Sequence, residues 1–140
     1  MVVVDGQGIP LGVHLDSASP SEVKLVEKTI DTIAVPRSGP GRPRTKPQRL
    51  IADRGYDSDP LRQRLRRRGI ELICPYRKNN KERKYEDGRK LRRYKRRWIV
   101  ERTFAWLGNQ RRLVVRWESE IRMYRAFFHI ACMIITLRRL

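Results

Sequence analysis

Two stretches of this 140-residue chain lack the apolar residues needed to build a core, and they dictate how the rest must fold. Residues 36–48 (PRSGPGRPRTKPQ) are dominated by Pro, Gly and Arg. Residues 76–90 (YRKNNKERKYEDGRK) are almost wholly polar. Both are expected to be basic loops, the first of them mobile, because neither buries enough surface to offset the entropy of ordering it. Apolar residues are left in short blocks before, between and after them. Blocks of that length make short strands and amphipathic helices of a single small domain.

The same division governs the charge. The chain holds 33 Lys+Arg against 15 Asp+Glu, a net charge of +18. Residues 1–36 contribute two cations (Lys24, Lys28) and five acids (Asp5, Asp16, Glu22, Glu27, Asp31). All other cations follow, and Arg predominates among them, with a planar fork that suits bidentate phosphate contacts. A surface of this kind binds polyanions in a salt-dependent manner, so nucleic acid is the expected partner. A basic surface that serves only solubility is the plainer reading, and a membrane surface is a distant second partner. The start, Met1 to Pro10, has no basic n-region or long apolar run, and Ile130 to Leu137 is short for a membrane span. The expected location is therefore cytosolic or nucleoid-associated, with no membrane partner. Two cysteines, Cys74 and Cys132, are too few for a disulfide framework or a Cys-rich zinc site.

Val2-Val3-Val4, Asp5-Gly6-Gln7-Gly8 and Ile9 to Leu15 read as strand, turn, strand. Ser19-Pro20-Ser21-Glu22 predicts a helix start, with Ser19 as N-cap and Glu22 completing a capping box. Val23, Val26, Ile30 and Ile33 continue that helix at helical spacing. Arg49-Leu50-Ile51-Ala52 predicts a short buried strand ending at Asp53, followed by a turn at Arg54-Gly55-Tyr56. Residues 57–68 predict a helix stopped by Gly69, and Ile70 to Cys74 a further strand. Leu91 to Val115 reads as one long helix and Glu118 to Leu140 as a final amphipathic one. The order ββα-β-α-β-α-α defines an α/β domain.

Two carboxylates stand out. Asp53 lies at the carboxyl end of a strand, where open α/β sheets gather ligand groups. Glu101 lies within an apolar and basic helix, and Tyr94, Arg97 and Glu101, spaced by three and four residues, share one helix face. The same spacing supports a plain ion pair between Arg97 and Glu101. His129 reads as a packed residue of an apolar helix, Cys74 and Cys132 as small buried hydrophobes, and Trp98, Phe104 and Trp106 as core in preference to base-stacking platforms.

The stretch LIADRGYDSDPLRQRLRRRGIELICP, with YKRRWIVERTFAWLGNQRRL downstream, resembles the DDE transposases of bacterial insertion sequences. The similarity is to the group around insertion sequence five, within the superfamily of insertion sequences four and five. VDGQGIPLGVHLDSASPSE resembles the hairpin and helix that precede the second catalytic Asp in that family, so the resemblance spans nearly the whole chain. It implies a ribonuclease H-like fold and a metal-dependent enzyme that cleaves and joins DNA strands at transposon ends. It implies that Asp53, in Asp-x-Gly-Tyr-Asp, and Glu101, in Tyr-x2-Arg-x3-Glu, are catalytic residues and ligands of Mg²⁺ or Mn²⁺. It further implies that Tyr94, Arg97 and Arg54 contact DNA, along with Arg111 or Arg112. One of that last pair stands in for a Lys that the motif places where this chain has Gly108.

The family also has a first catalytic Asp on a strand upstream of the hairpin. Asp5 falls in the hairpin turn and Asp16 after the second strand, so no residue of this chain is expected to fill that role. The expectation is an incomplete ribonuclease H-like domain covering residues 1–140, lacking its first catalytic strand and so leaving sheet edges unpaired. Such a chain would be the C-terminal portion of a transposase, either a downstream frame made by ribosomal frameshifting or a truncated copy. It would be inactive alone, and metal would be held only with a complete acidic triad. Its partners would be double-stranded transposon-end DNA and either full-length transposase or the upstream fragment. The alternatives are a non-catalytic basic nucleic-acid-binding protein and a regulator of transposition.

Overall fold

The computed structural model describes residues 1–16, 21–80 and 87–139. The chain starts with strands β1 (Val2–Val4) and β2 (Pro10–Val13), an antiparallel hairpin that pairs Val2 with Val13 and Val3 with Gly12. Asp5 builds the turn: its Oδ1 accepts hydrogen bonds from the Gln7 and Ile9 amides at 2.8 and 2.9 Å. That is an acid engaged in local turn chemistry. Helix α1 (Glu22–Ile30) lies across the hairpin so closely that a Cβ on Gly12 would come within 2.8 Å of the Thr29 carbonyl oxygen. Ser21 occupies the N-cap position without a side-chain cap bond, and Ser19 and Pro20 lie outside the described residues.

Strand β3 (Arg49–Ile51), helix α2 (Asp59–Arg67) and strand β4 (Glu71–Ile73) form a parallel β-α-β unit, in register at Arg49–Glu71, Leu50–Leu72 and Ile51–Ile73. A 3₁₀ turn, Arg54–Tyr56, joins β3 to α2. The Ser58 hydroxyl caps α2 by accepting from the Leu61 amide at 3.4 Å. Gly69, with φ at +74°, reverses the chain into β4 as expected of a helix stop. Among the described residues the sheets are two separate pairs, β1–β2 and β3–β4.

The first basic stretch is exposed but tied down. Val35 and Arg44 exchange two backbone hydrogen bonds, and Lys46 Nζ donates to the Arg68 carbonyl at 2.8 Å. Of the second, residues 81–86 lie outside the described residues, and Asp87 already caps helix α3 (Gly88–Leu91).

The long helix expected over 91–115 is interrupted. After α3 come a 3₁₀ segment (Arg92–Arg97), helix α4 (Trp98–Gly108) and helix α5 (Arg111–Val114). Like charges four residues apart, Arg92–Arg96 and Arg93–Arg97 among them, oppose a regular α-helix there. The final helix α6 (Ile121–Leu137) is shorter at its start than the spacing predicts. No helix among the described residues is long and apolar enough to cross a membrane.

Two clusters hold these pieces together, and alternation along β1 shares the hairpin between them. Val3 packs with Val26, Ile30, Ile33, Leu61, Leu65 and Ile70. Val2 and Val13 lie instead against Leu107, Phe128, Ala131 and Ile135. The architecture is mixed α/β, with the hairpin as the wall common to both cores.

Candidate active site

Asp53 emerges where β3 gives way to the 3₁₀ turn, its side chain 53% exposed. The turn closes beneath it through the Tyr56 amide, which donates to the Asp53 carbonyl at 2.9 Å. Glu101 projects from the first turn of α4 with its side chain 55% exposed. One residue joins the two. Arg97 Nη1 donates to Asp53 Oδ2 at 3.4 Å, and Arg97 Nη2 pairs with Glu101 Oε1. Arg97 and Asp53 are 44 residues apart in the chain. The ion pair that spacing allowed for Glu101 therefore exists, and it includes Asp53 as well.

The other residues singled out from the sequence are distributed differently. Tyr94 is half-buried on the 3₁₀ segment, off the α-helix that carries Glu101, so the expected single α-helical face does not form. Arg54 is exposed beside Asp53. Arg111 is exposed on α5, while Arg112 turns to Glu118 at 3.0 Å and stacks over Phe127. Trp98 and Phe104 are each 52% exposed, contrary to the core assignment, whereas Trp106 packs against the second cluster. His129 is exposed, not packed. Helical spacing shows which residues share a face, but not whether another element covers it. Cys74 is buried, which pushes its thiol up to about 11, and half-buried Cys132 is likewise pushed up to about 11.

Some residues that shape the site were not read as site residues from the sequence, although Asp57 closes the Asp-x-Gly-Tyr-Asp motif. Cys74, Asp57, Arg62 and Arg77 all reach the turn after Asp53, directly or through one another. Burial and the neighbouring Glu22 carboxylate push the Tyr56 phenol upward, and the same turn lies against α1.

The donor chemistry suits a hard cation. Asp53 and Glu101 offer carboxylate oxygens, and Mg²⁺ is commonly held by one or two carboxylates, with water and phosphate completing its shell. Among the described residues no group of three or more acids, His or Cys could hold a metal. Arg97, a single cation, offsets half of the charge of the two carboxylates.

A carboxylate at a strand end, tied by an arginine to a carboxylate on a following helix, defines an acidic centre on a mixed α/β scaffold. Residues 1–136 match the Transposase DDE domain family, and the chain belongs to that family. It is 40% identical over 141 residues to a Burkholderia cepacia protein named as a transposase for insertion sequence element IS402. The match covers 99% of this chain and 63% of that relative, so the chain spans less than two thirds of its length. No solved structure matches the chain.

Proposed function

We propose that the chain is the C-terminal portion of an insertion-sequence transposase of the insertion sequence five group, with a ribonuclease H-like catalytic domain. In this reading Asp53 and Glu101 are two of its catalytic acids. The observation that carries it is the joining of Asp53 and Glu101 through Arg97, which unites the two motif acids in one centre. These carboxylates would hold Mg²⁺ or Mn²⁺, which when bound activates an attacking water or 3′-hydroxyl and stabilises the leaving oxygen.

The chain's own residues do the rest. Asp53 presents its oxygens from the end of β3, and Glu101 faces it from α4. Arg97 offsets half of their charge and would take a DNA phosphate once a cation is held. Arg54 and Arg111, both exposed, together with Arg112 and the neutral Tyr94, would contact the strand. A third acid, supplied by an upstream segment or a full-length partner, would complete the centre. The bacterial cytoplasm, in contact with the nucleoid, is the corresponding location.

The test is strand cleavage of transposon-end DNA in Mg²⁺, with the chain alone and with the upstream segment added. The expected outcome is cleavage only in the combined sample, abolished by Asp53→Ala or Glu101→Gln. Cleavage that survives Asp53→Ala would overturn the assignment.

A further inference from the structure

Three consecutive carbonyl groups at the candidate site are held from one short segment just past β4. The Cys74 thiol donates to the Asp53 carbonyl at 2.9 Å. Arg77 Nε donates to the Arg54 carbonyl at 3.4 Å, and Arg77 Nη2 to the Gly55 carbonyl at 2.7 Å. Asp57, at the far end of the same turn, holds that segment in return: its Oδ2 accepts from the Arg77 amide at 2.7 Å.

Beneath the turn lies a buried ion pair. The side chains of Arg62 and Asp57 are only 7% and 3% exposed. Arg62 Nη2 donates to Asp57 Oδ1 at 2.9 Å and to the Cys74 carbonyl at 2.8 Å. The guanidinium stacks on the Tyr76 ring at 4.4 Å, and its Nε lies 3.7 Å from Asp59 Oδ1. The Tyr76 hydroxyl also donates to Asp59 Oδ1, at 3.3 Å. The bonds to the Cys74 carbonyl and from the Tyr76 hydroxyl tie the residues that follow Asp53 to those that follow Ile73, across the mouth of the β3–β4 pair.

This arrangement exceeds what chain reversal needs. The turn already closes through the Tyr56 and Asp57 amides, which donate to the carbonyls of Asp53 and Arg54 at 2.9 and 3.2 Å. The additional donors restrain the backbone of the residue whose side chain stands at the centre. Outer partners that orient a metal-holding carboxylate typically matter by about 10- to 100-fold in metal binding, and these donors act on the same orientation one step further out, through the backbone of the turn.

We propose that Cys74–Arg77 and Asp57 form a positioning clamp, in which Arg77 and Asp57 fix the backbone that aims the Asp53 carboxylate. The proposal rests on the reading of Asp53 as a metal-holding acid, and its two parts are tested separately. Asp57→Asn strands the buried Arg62 charge and threatens the fold, so the informative variant is Arg77→Ala, at an exposed position.

Amide hydrogen exchange reads the clamp itself. In Arg77→Ala, exchange at Tyr56 and Asp57 should rise about tenfold or more, with Leu65 and Ile73 unchanged. Unchanged exchange at Tyr56 and Asp57 would overturn the clamp. Broadening of amide resonances by added Mn²⁺ reads the positioning. With the upstream segment added to complete the triad, wild type should show broadening around Asp53, lost in Asp53→Ala, and Arg77→Ala should need about tenfold more Mn²⁺. Arg77→Lys, which keeps a donor for one carbonyl, should fall between. Wild-type Mn²⁺ dependence in Arg77→Ala would overturn the positioning role. Broadening that persists in Asp53→Ala would instead sink the metal reading of Asp53, leaving the exchange measurement to decide the clamp.

Discussion

Two turns of this molecule each offer three consecutive carbonyl groups to donors from elsewhere, and they differ in what stands behind those donors. At the site turn, Asp53, Arg54 and Gly55 are held by Cys74 and Arg77. At the hairpin turn, Gly6, Gln7 and Gly8 are held by Arg96, Arg102 and Thr103 at 3.3, 2.6 and 2.7 Å. Asp53 sits on a turn that is gripped, whereas Glu101 sits on the helix that does the gripping. The grip on the site turn rests on the buried Arg62–Asp57 pair. That on the hairpin runs through exposed or half-buried arginines, of which Arg102 lies between the Trp98 and Trp106 rings at 4.8 Å from each. Its only fully buried donor is Thr103. Asp53 is thus fixed through its own backbone, and Glu101 through the seating of its helix.

The difference predicts unequal costs when either support is cut. Asp57→Ala leaves Arg62 with its charge buried and its main partner gone, which should cost about 3–5 kcal/mol. That is a large share of the roughly 5–15 kcal/mol by which small domains are stable. Urea unfolding followed by circular dichroism checks it. A loss below about 1 kcal/mol would mean that Arg62 reaches solvent easily, and the contrast between the turns would weaken.

On the other side, Thr103→Val keeps the shape of the side chain and removes its bond to the Gly8 carbonyl. Gly8 has φ at +87°, and a Cβ there would come within 2.9 Å of Thr103 Oγ1, so the turn and the helix are fitted to each other. Leaving a buried carbonyl unpaired costs about 1–3 kcal/mol. The same unfolding experiment should therefore show a smaller loss than for Asp57→Ala. A larger one would reverse the ranking of the two supports.

Much of the scaffold could be read from the residues, for reasons that also explain what could not. Asp5-Gly6 marks a hairpin because the Asp carboxylate accepts from amides two and four residues on, and Ser58-Asp59-Pro60 marks a helix start. The run Leu50-Ile51-Ala52 places Asp53 at a strand end. These are local signals, each decided within a few residues. The break in the 91–115 helix depends on repulsion summed along a basic run, which apolar spacing ignores. The clamp was invisible because Arg77 lies in a stretch with no apolar pattern, where one cation looks like any other. Its partners, the Arg54 and Gly55 carbonyls, are 23 and 22 residues away and belong to the backbone, which has no sequence signature. The meeting of Asp53 with Glu101 was implied by family resemblance, and no local signal could have supplied it.

The smallest expected effect is the sharpest check on the contrast. Arg97 touches both acids, yet its side chain is 33% exposed and theirs are more than half exposed. Ion pairs in that setting contribute about 0.2–1 kcal/mol, because water screens them and long side chains lose freedom when held. Arg97→Gln should therefore lower stability by no more than about 1 kcal/mol, and added salt should shrink the difference further. If the loss instead approached that of Asp57→Ala, the acidic centre itself would be holding β3 and α4 together. Arg97 would then be a structural link, and the centre could not open for a cation or a phosphate without loosening the fold. A small loss is what the proposed exchange of its two carboxylates for a DNA phosphate requires, with the gripped turn keeping Asp53 in place.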